Sequence, residues 1–194
     1  MNKIDFLVVG VGGQGTILAS VVLALVGLAL GYDVKKSEVH GMSQRGGSVE
    51  SHVRWGDKVY SPLAEAGTVD YLISFEVLET ARWANYLRPG GVVLINDQRI
   101  HPLAVSTGQA VYPTDDALLA AFRARTERVH LLPCLAVAQE LENPRVTNIV
   151  LLGALSQLMG TDPDPWLQVI AERVPARLLE LNRRAFARGR ELIQ

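Results

Sequence analysis

Residues 8–16 read VVGVGGQGT, and this short stretch constrains the chain more than any other. Residues 4–10 (IDFLVVG) form a short apolar run, β-branched at its end and closed by a glycine, the pattern of a buried strand. An apolar segment over 14–30 follows and predicts a helix. The spacing Gly10-x-Gly12-x-x-Gly15 between them allows a tight turn that aims backbone N–H groups, and the positive end of the helix, at whatever lies above. A strand before and a helix after give the spacing the context of a dinucleotide-binding fingerprint.

The second half of that fingerprint is an acid at the end of strand two, about 20 residues further on, which reads a ribose. Glu38 stands 23 residues after Gly15 and fills the place, whereas Asp33 comes too early in the strand. Gly13-Gln14 departs from the usual form and puts a carboxamide at the helix start. Three readings stay open: a dinucleotide, another phosphate-bearing or carboxylate ligand, and a tight turn with a purely structural purpose.

The rest of the chain fills in an α/β protein. Residues 33–38 (DVKKSE) read as strand two, and HGMSQRGG, residues 40–47, as a glycine-marked loop. SVESHVRW (48–55) alternates, with Val49, Val53 and Trp55 on one face, and Gly56-Asp57 turns it into KVYSPL as a hairpin over 48–62. VDYLISF (69–75) is a buried strand, with an amphipathic helix over 77–87 that Pro89-Gly90-Gly91 stops. VVLIND (92–97) and a segment near 128–132 supply two more strands. Beyond 133 the pattern is helical, with Asn143-Pro144 as a break, Thr147 or Asn148 as a cap, and two helices either side of Pro175. The last stretch, 176–192, is basic and amphipathic, a solvated helix covering the sheet or a face for a partner. Together these predict a single domain over 1–194: a Rossmann-like doubly wound sheet, mixed because of an antiparallel hairpin, with a helical C-terminal part.

Helix 14–30 is apolar on nearly every side, so one face is expected on the sheet and another under a second layer or a partner subunit. Its run of apolar residues, 16–31, falls short of the ~20 residues a bilayer needs. Asp5 ahead of the glycines and the lack of a clear cleavage site fit a signal peptide poorly, so a cytoplasmic chain without a membrane span is expected. The net charge is −1 and no basic stretch is interleaved with aromatics, which argues against nucleic acid. Cys134 is the sole cysteine and sits in an apolar run, where it reads as a packing residue. One cysteine rules out an internal disulfide and any iron–sulfur cluster held by this chain alone. The histidines 40, 52, 101 and 130 have no metal-ligand spacing, and no metal site is expected.

The second loop is the other polar concentration. In a doubly wound sheet it lies beside the first, at the carboxyl edge where ligands bind. There Arg45 brings a guanidinium suited to phosphate or carboxylate, and Gly46-Gly47 permits close approach by a ligand or another chain. Glu76 and Asn96-Asp97 end strands at positions that are often functional, Glu76 equally as a helix cap. No Ser/His/Asp or Cys/His arrangement presents itself, so no catalytic residue is assigned. Ligand-binding loops without a catalyst suggest a subunit whose chemistry is housed elsewhere.

Five blocks in order cover nearly the whole chain: GVGGQGT (10–16), HGMSQRGGSVESHVRWGDKVYSPL (40–63), DYLISFEVLETARWANYLRPGG (70–91), NPRVTNIVLLGAL (143–155) and VPARLLELNRRAFARG (174–189). On these the chain resembles the gamma-type subunits of 2-oxoacid:ferredoxin oxidoreductases. Its MSQRGG loop is similar to the indolepyruvate-type branch, where pyruvate-type relatives carry a Pro-Glu-Ala-Arg-Gly-Gly-like version. The resemblance implies a large partner subunit that holds thiamine diphosphate and 4Fe–4S clusters. There an aryl pyruvate such as indolepyruvate loses carbon dioxide, ferredoxin is reduced and coenzyme A takes the acyl group. It further implies coenzyme A binding and subunit packing for this chain. Carried over, Gly10, Gly12, Gly13, Gln14 and Gly15 form one cofactor-facing loop, and Ser43, Gln44, Arg45, Gly46 and Gly47 the other.

Overall fold

The computed structural model describes residues 3–40 and 47–193. Six strands form one mixed sheet: β1 (Ile4–Val11), β2 (Asp33–His40), β3 (Ser48–Gly56), β4 (Val69–Ser74), β5 (Leu87–Asn96) and β6 (Val129–Leu132). Their order is β2-β3-β1-β4-β5-β6. β1, β4, β5 and β6 run parallel, as expected of strands joined by crossovers, while β3 pairs antiparallel with both β1 and β2.

The antiparallel partner of β3 on this side is therefore β2, and not a segment formed beyond Gly56. Residues 57–68 form no strand. Their backbone is held by side chains of β2 and β3, and Val59 and Ala64 point inward. A second difference concerns Pro89-Gly90-Gly91. The helix predicted over 77–87 ends as α2 (Val77–Trp83) and a short 3-10 turn, and β5 already begins at Leu87. Gly90 takes φ +69, and the register slips between Val69 and Tyr71, so the Pro-Gly-Gly segment is a bulge inside the strand.

Helices cover both faces. Stacked outward on one side are α1 (Thr16–Ala29), α5 (Cys134–Glu140), α6 (Thr147–Leu158), α7 (Pro163–Arg173) and α8 (Leu179–Glu191). Here Phe6, Val8, Trp55, Ile73 and Leu94 of the sheet meet Val22, Leu23 and Val26 of α1 and the buried side of α6. Most of the apolar α1 is covered within the chain, between the sheet and a second layer made by α6 and α7, while Ile17 and Leu28 stay exposed. Gly27 makes that closeness possible, since a β-carbon there would fall 2.4 Å from Trp55 Nε1. The other face carries α2 and α4 (Asp115–Arg123) over Leu7, Val9, Leu72, Val93 and Ile95, and the one-turn α3 (Leu103–Ser106) lies between β5 and α4 in the chain.

α8 does not cover the sheet. It packs on α6, where Gly153 and Gly189 bring the two backbones so close that a β-carbon at either would meet a carbonyl oxygen at 2.1 and 1.9 Å. Its buried stripe is Asn182, Ala185, Phe186 and Gly189, which makes it an outer third layer. Among the described residues no helix is long and apolar enough to cross a membrane.

Candidate functional site

The parallel strands all end at one edge, and the glycine turn of residues 10–15 lies there. Gly15 takes φ +82 as the N-cap of α1, a left-handed conformation that glycine adopts without strain. Among the described residues no side chain caps this helix, and its first turn holds no acidic residue, so its leading N–H groups and positive dipole end meet no carboxylate there. Gly13, at φ +104, has no described atom within 4 Å of where a β-carbon would stand. Gly10 is packed instead, with Thr16, Gln14 and Phe75 against it. Gly12 donates its N–H to Gly47 O at 2.9 Å, which brings the end of the second loop beside the first. Ser43, Gln44, Arg45 and Gly46 lie outside the described residues.

Gln14 is fastened to the protein. Its Oε1 accepts Val11 N–H at 2.7 Å, and its Nε2 donates to Phe75 O at 2.9 Å and to Gln98 Oε1 at 3.0 Å. Asn96 completes the arrangement, donating to the same two oxygens at 3.1 Å and accepting Leu135 N–H at 3.0 Å. The ends of β1, β4 and β5 and the start of α5 are thus tied by three carboxamides. Both Gln14 amide protons are used in this way, although one side of the residue lines the cleft.

That cleft has a volume of about 470 Å3. Gly13, Gln14 and Gly15 line it together with Pro144, Arg145, Thr147 and Asn148, and its apolar lining is Leu18, Leu135 and the fully buried Phe75. Arg145 is exposed, is the single charged side chain among the described lining residues, and has no ion-pair partner among them. Its position follows from the local fold. Asn143 Oδ1 accepts Arg145 N–H at 3.1 Å and caps a 3-10 turn over Pro144–Val146, which leads into α6. The cap falls on Asn143, ahead of the expected Thr147 or Asn148. Asn148 donates to Gly15 O at 3.4 Å and sits where a Gly15 side chain would be. Arg145 and Asn148 are site residues that the sequence reading does not assign, although NPRVTN is one of its marked blocks.

The remaining candidates have structural work. Glu76 is 1% exposed: its Oε2 accepts Glu79 N–H and caps α2, while Oε1 accepts Ile100 N–H and the Tyr112 hydroxyl. Asp97 pairs with Arg99. Cys134 is fully buried and burial pushes its thiol up to about 12, so it stays protonated as a packing residue. Among the described residues no group of three or more His, Cys, Asp or Glu side chains could hold a metal ion.

Glu38 does not stand where a ribose-reading acid must. In a dinucleotide-binding sheet strand two adjoins strand one, but here β3 lies between them. Glu38 is therefore two strand spacings, about 10 Å, from β1, and it pairs with Lys36. What the described residues offer at the glycine turn is a helix start suited to an anion, the Arg145 guanidinium with no ion-pair partner among them, and the apolar Leu18 and Leu135.

Such a cleft, on a Rossmann-like α/β domain, presents backbone N–H groups and one positive charge, and no Asp, Glu, His, Cys or Lys is among its described lining residues. The family model for pyruvate ferredoxin/flavodoxin oxidoreductase matches residues 5–192, and the chain belongs to that family. It is 39% identical over 192 residues to indolepyruvate oxidoreductase subunit IorB of Thermococcus kodakarensis, covering 97% of this chain and 95% of the relative. It superposes on the gamma subunit of a keto/oxoacid ferredoxin oxidoreductase from Geobacter sulfurreducens with a TM-score of 0.71 at 26% identity, over 99% of this chain and 98% of the other. It also matches the 2-oxoglutarate:ferredoxin oxidoreductase from Magnetococcus marinus, solved with 2-oxoglutarate, coenzyme A and succinyl-CoA bound. There the TM-score is 0.76 at 21% identity, over 99% of this chain and 31% of the other, which shows a shared fold.

Proposed function

We propose that this chain is the small subunit of a cytoplasmic 2-oxoacid:ferredoxin oxidoreductase acting on indolepyruvate and other aryl pyruvates, and that its cleft holds part of coenzyme A. Near-full-length similarity to indolepyruvate oxidoreductase subunits supports the subunit role and the substrate class. Thiamine diphosphate and the 4Fe–4S clusters belong in this reading to a large partner subunit, through which ferredoxin is reduced. One buried, protonated cysteine cannot supply cluster thiolates, in keeping with that division.

The observation that carries the coenzyme A reading is the α1 start facing Arg145 across the cleft, the first uncapped and the second without an ion-pair partner among the described residues, with Leu18 and Leu135 as apolar lining. Coenzyme A has phosphates for the first two and an apolar arm for the third. The backbone at Gly13 and Gly15, together with Arg145, would hold a phosphate, and Leu18 and Leu135 would flank the arm. When bound, the cofactor supplies the thiol that accepts the acyl group. Ser43, Gln44, Arg45, Gly46 and Gly47 belong in this reading to the contacts with the ligand or the partner.

Replacing Arg145 by glutamate tests this in the assembled enzyme. The expected result is a rise of roughly tenfold or more in the apparent KM for coenzyme A, the loss of a charge-assisted phosphate contact, with kcat and Tm unchanged. An unchanged KM overturns the coenzyme A reading and leaves a subunit that packs without binding the cofactor.

A further inference from the structure

Residues 97–114 join β5 to α4 at the edge that carries the cleft, since β5 ends there and α4 runs back to feed the parallel β6. The ends of this connection are clamped together. Arg99 Nε and Nη2 donate to the two carboxylate oxygens of Asp115 at 2.9 Å, and its Nη1 donates to Asp97 Oδ1 at 2.7 Å. The buried Glu76 fixes both flanks, its Oε1 accepting Ile100 N–H at 3.1 Å and the Tyr112 hydroxyl at 2.9 Å. Between them α3 and the returning chain close on each other, with Gln109 N–H and Ala110 N–H donated to Ala104 O at 2.8 and 3.0 Å. A surface loop with joined ends and a middle packed on itself is an Ω-loop, a form that frequently carries function.

Residues 100–114 hold no Asp, Glu, Lys or Arg, in a chain of which these make up 20%. Most of them are nevertheless exposed, Leu103 at 79% and Val111 at 92%. Single apolar residues scattered over a surface are ordinary. Here two large ones share one exposed loop that lacks charge, and depletion of charge is the compositional mark of the buried centre of a protein interface. The clamped base means that the loop enters a complex already in shape, with little ordering left to do.

We propose that this loop, through Leu103 and Val111, docks the chain onto its large partner subunit, which would offer an uncharged apolar recess; the proposal rests on the subunit and coenzyme A readings above. Position selects this occupant. Gln98 lines the cleft and the loop begins two residues later, so a surface seated on the loop also borders the cleft. In those readings the acyl group reaches coenzyme A from thiamine diphosphate on the large subunit, and that subunit must therefore lie against this edge. A second copy of the chain seated on the loop would take the same place and bar the acyl group from the cleft.

The test measures the affinity of the full chain for the thiamine-loaded large subunit by surface plasmon resonance, beside Leu103→Asp and Val111→Asp variants. Each puts a carboxylate into the contact that stays solvated in the free chain. Tyr60→Ala, which alters another exposed residue, at 89% exposure and at the opposite edge, is the control. The expected result is a Kd raised tenfold or more by each Asp variant, with unchanged Tm and unchanged binding by the control. Excess large subunit should restore full kcat with an unchanged KM for coenzyme A, which separates this test from that of Arg145. Wild-type affinity in either Asp variant, or turnover that excess large subunit does not restore, overturns the docking role alone. Failure of the unaltered chain to bind overturns the subunit reading and the docking role with it.

Discussion

Gln14 and Gln98, 84 residues apart, meet side chain to side chain at 3.0 Å and join the glycine turn to the end of β5. The same Gln14 carboxamide accepts Val11 N–H and donates to Phe75 O, so one residue closes the turn on itself and on β4. Replacing Gln14 by leucine leaves Val11 N–H without this partner, whereas Phe75 O keeps Asn96. A buried unsatisfied group costs about 1–3 kcal/mol, so Gln14→Leu is expected to lower the unfolding free energy by about 2 kcal/mol in urea titrations. Gln98→Leu should cost about 1 kcal/mol or less, since it strips no backbone group of its partner. Equal losses would show that the backbone contacts of Gln14 carry no special weight.

The crossing of α6 and α8 gives a second prediction. A β-carbon at residue 189 would lie 1.9 Å from Val150 O, and one at residue 153 would lie 2.1 Å from Phe186 O. Backbone oxygens cannot swing aside, so Gly189→Ala must drive the helices apart. The expected loss is about 3 kcal/mol, at the upper end for overpacked cores. Gly153→Ala should cost a similar amount, and the double variant less than the sum, because one separation relieves both contacts. Thermal unfolding of the three variants measures this directly.

Stability should depend on pH through two groups of opposite sign on β3. Burial, reinforced by Arg54, holds the His52 imidazole below its ordinary 6.5. The unfolded chain therefore takes up this proton first, and the His52 contribution is present above pH 6.5 and lost as pH falls through the lower folded value. Its acceptance of Ala64 N–H also requires the neutral ring. Burial, with Glu79 adding, raises the Glu50 carboxyl above 4.5; its contribution is present below that value and lost as pH rises through the folded value. His52→Gln should flatten the fall in Tm on acidification below 6.5, leaving a residue from His130, which burial and Arg128 shift the same way. Glu50→Gln should raise Tm at pH 7. A Tm profile unchanged by either substitution would contradict both assignments.

The sequence made the central motif and most of the strands legible because these signals are local. IDFLVVG closes on glycine, and a helix 16–29 follows within one residue or two of the expected bounds. Gly56-Asp57 is the stronger local turn signal, while the pairing of β3 depends on a strand upstream: Asp33 meets Gly56, 23 residues on, across the ladder. A bulge at Gly90 reads as a helix stop, since both need a positive φ. α4 is absent from the sequence expectation, although Thr114 accepts Ala117 N–H as its cap and Asp115 and Asp116 stand in its first turn.

The site divides in the same way. The glycine turn is a contiguous pattern, so its residues could be named in advance. Arg145 and Asn148 reach the cleft only because α6 packs against α1, a contact 133 residues long in sequence between Asn148 and Gly15. Glu38 matched the spacing of a ribose-reading acid, and the insertion of β3 between β1 and β2 removed it from reach. A count along the chain cannot show a strand inserted in space.

As a required subunit of an aryl-pyruvate oxidoreductase, this chain should restore activity when it is titrated into the large subunit while indolepyruvate-dependent, coenzyme A-dependent reduction of ferredoxin is followed. Negligible turnover is expected from either chain alone, with activity rising with added small subunit to saturation at a fixed ratio. Full activity from the large subunit alone, or none from the mixture, would contradict that role.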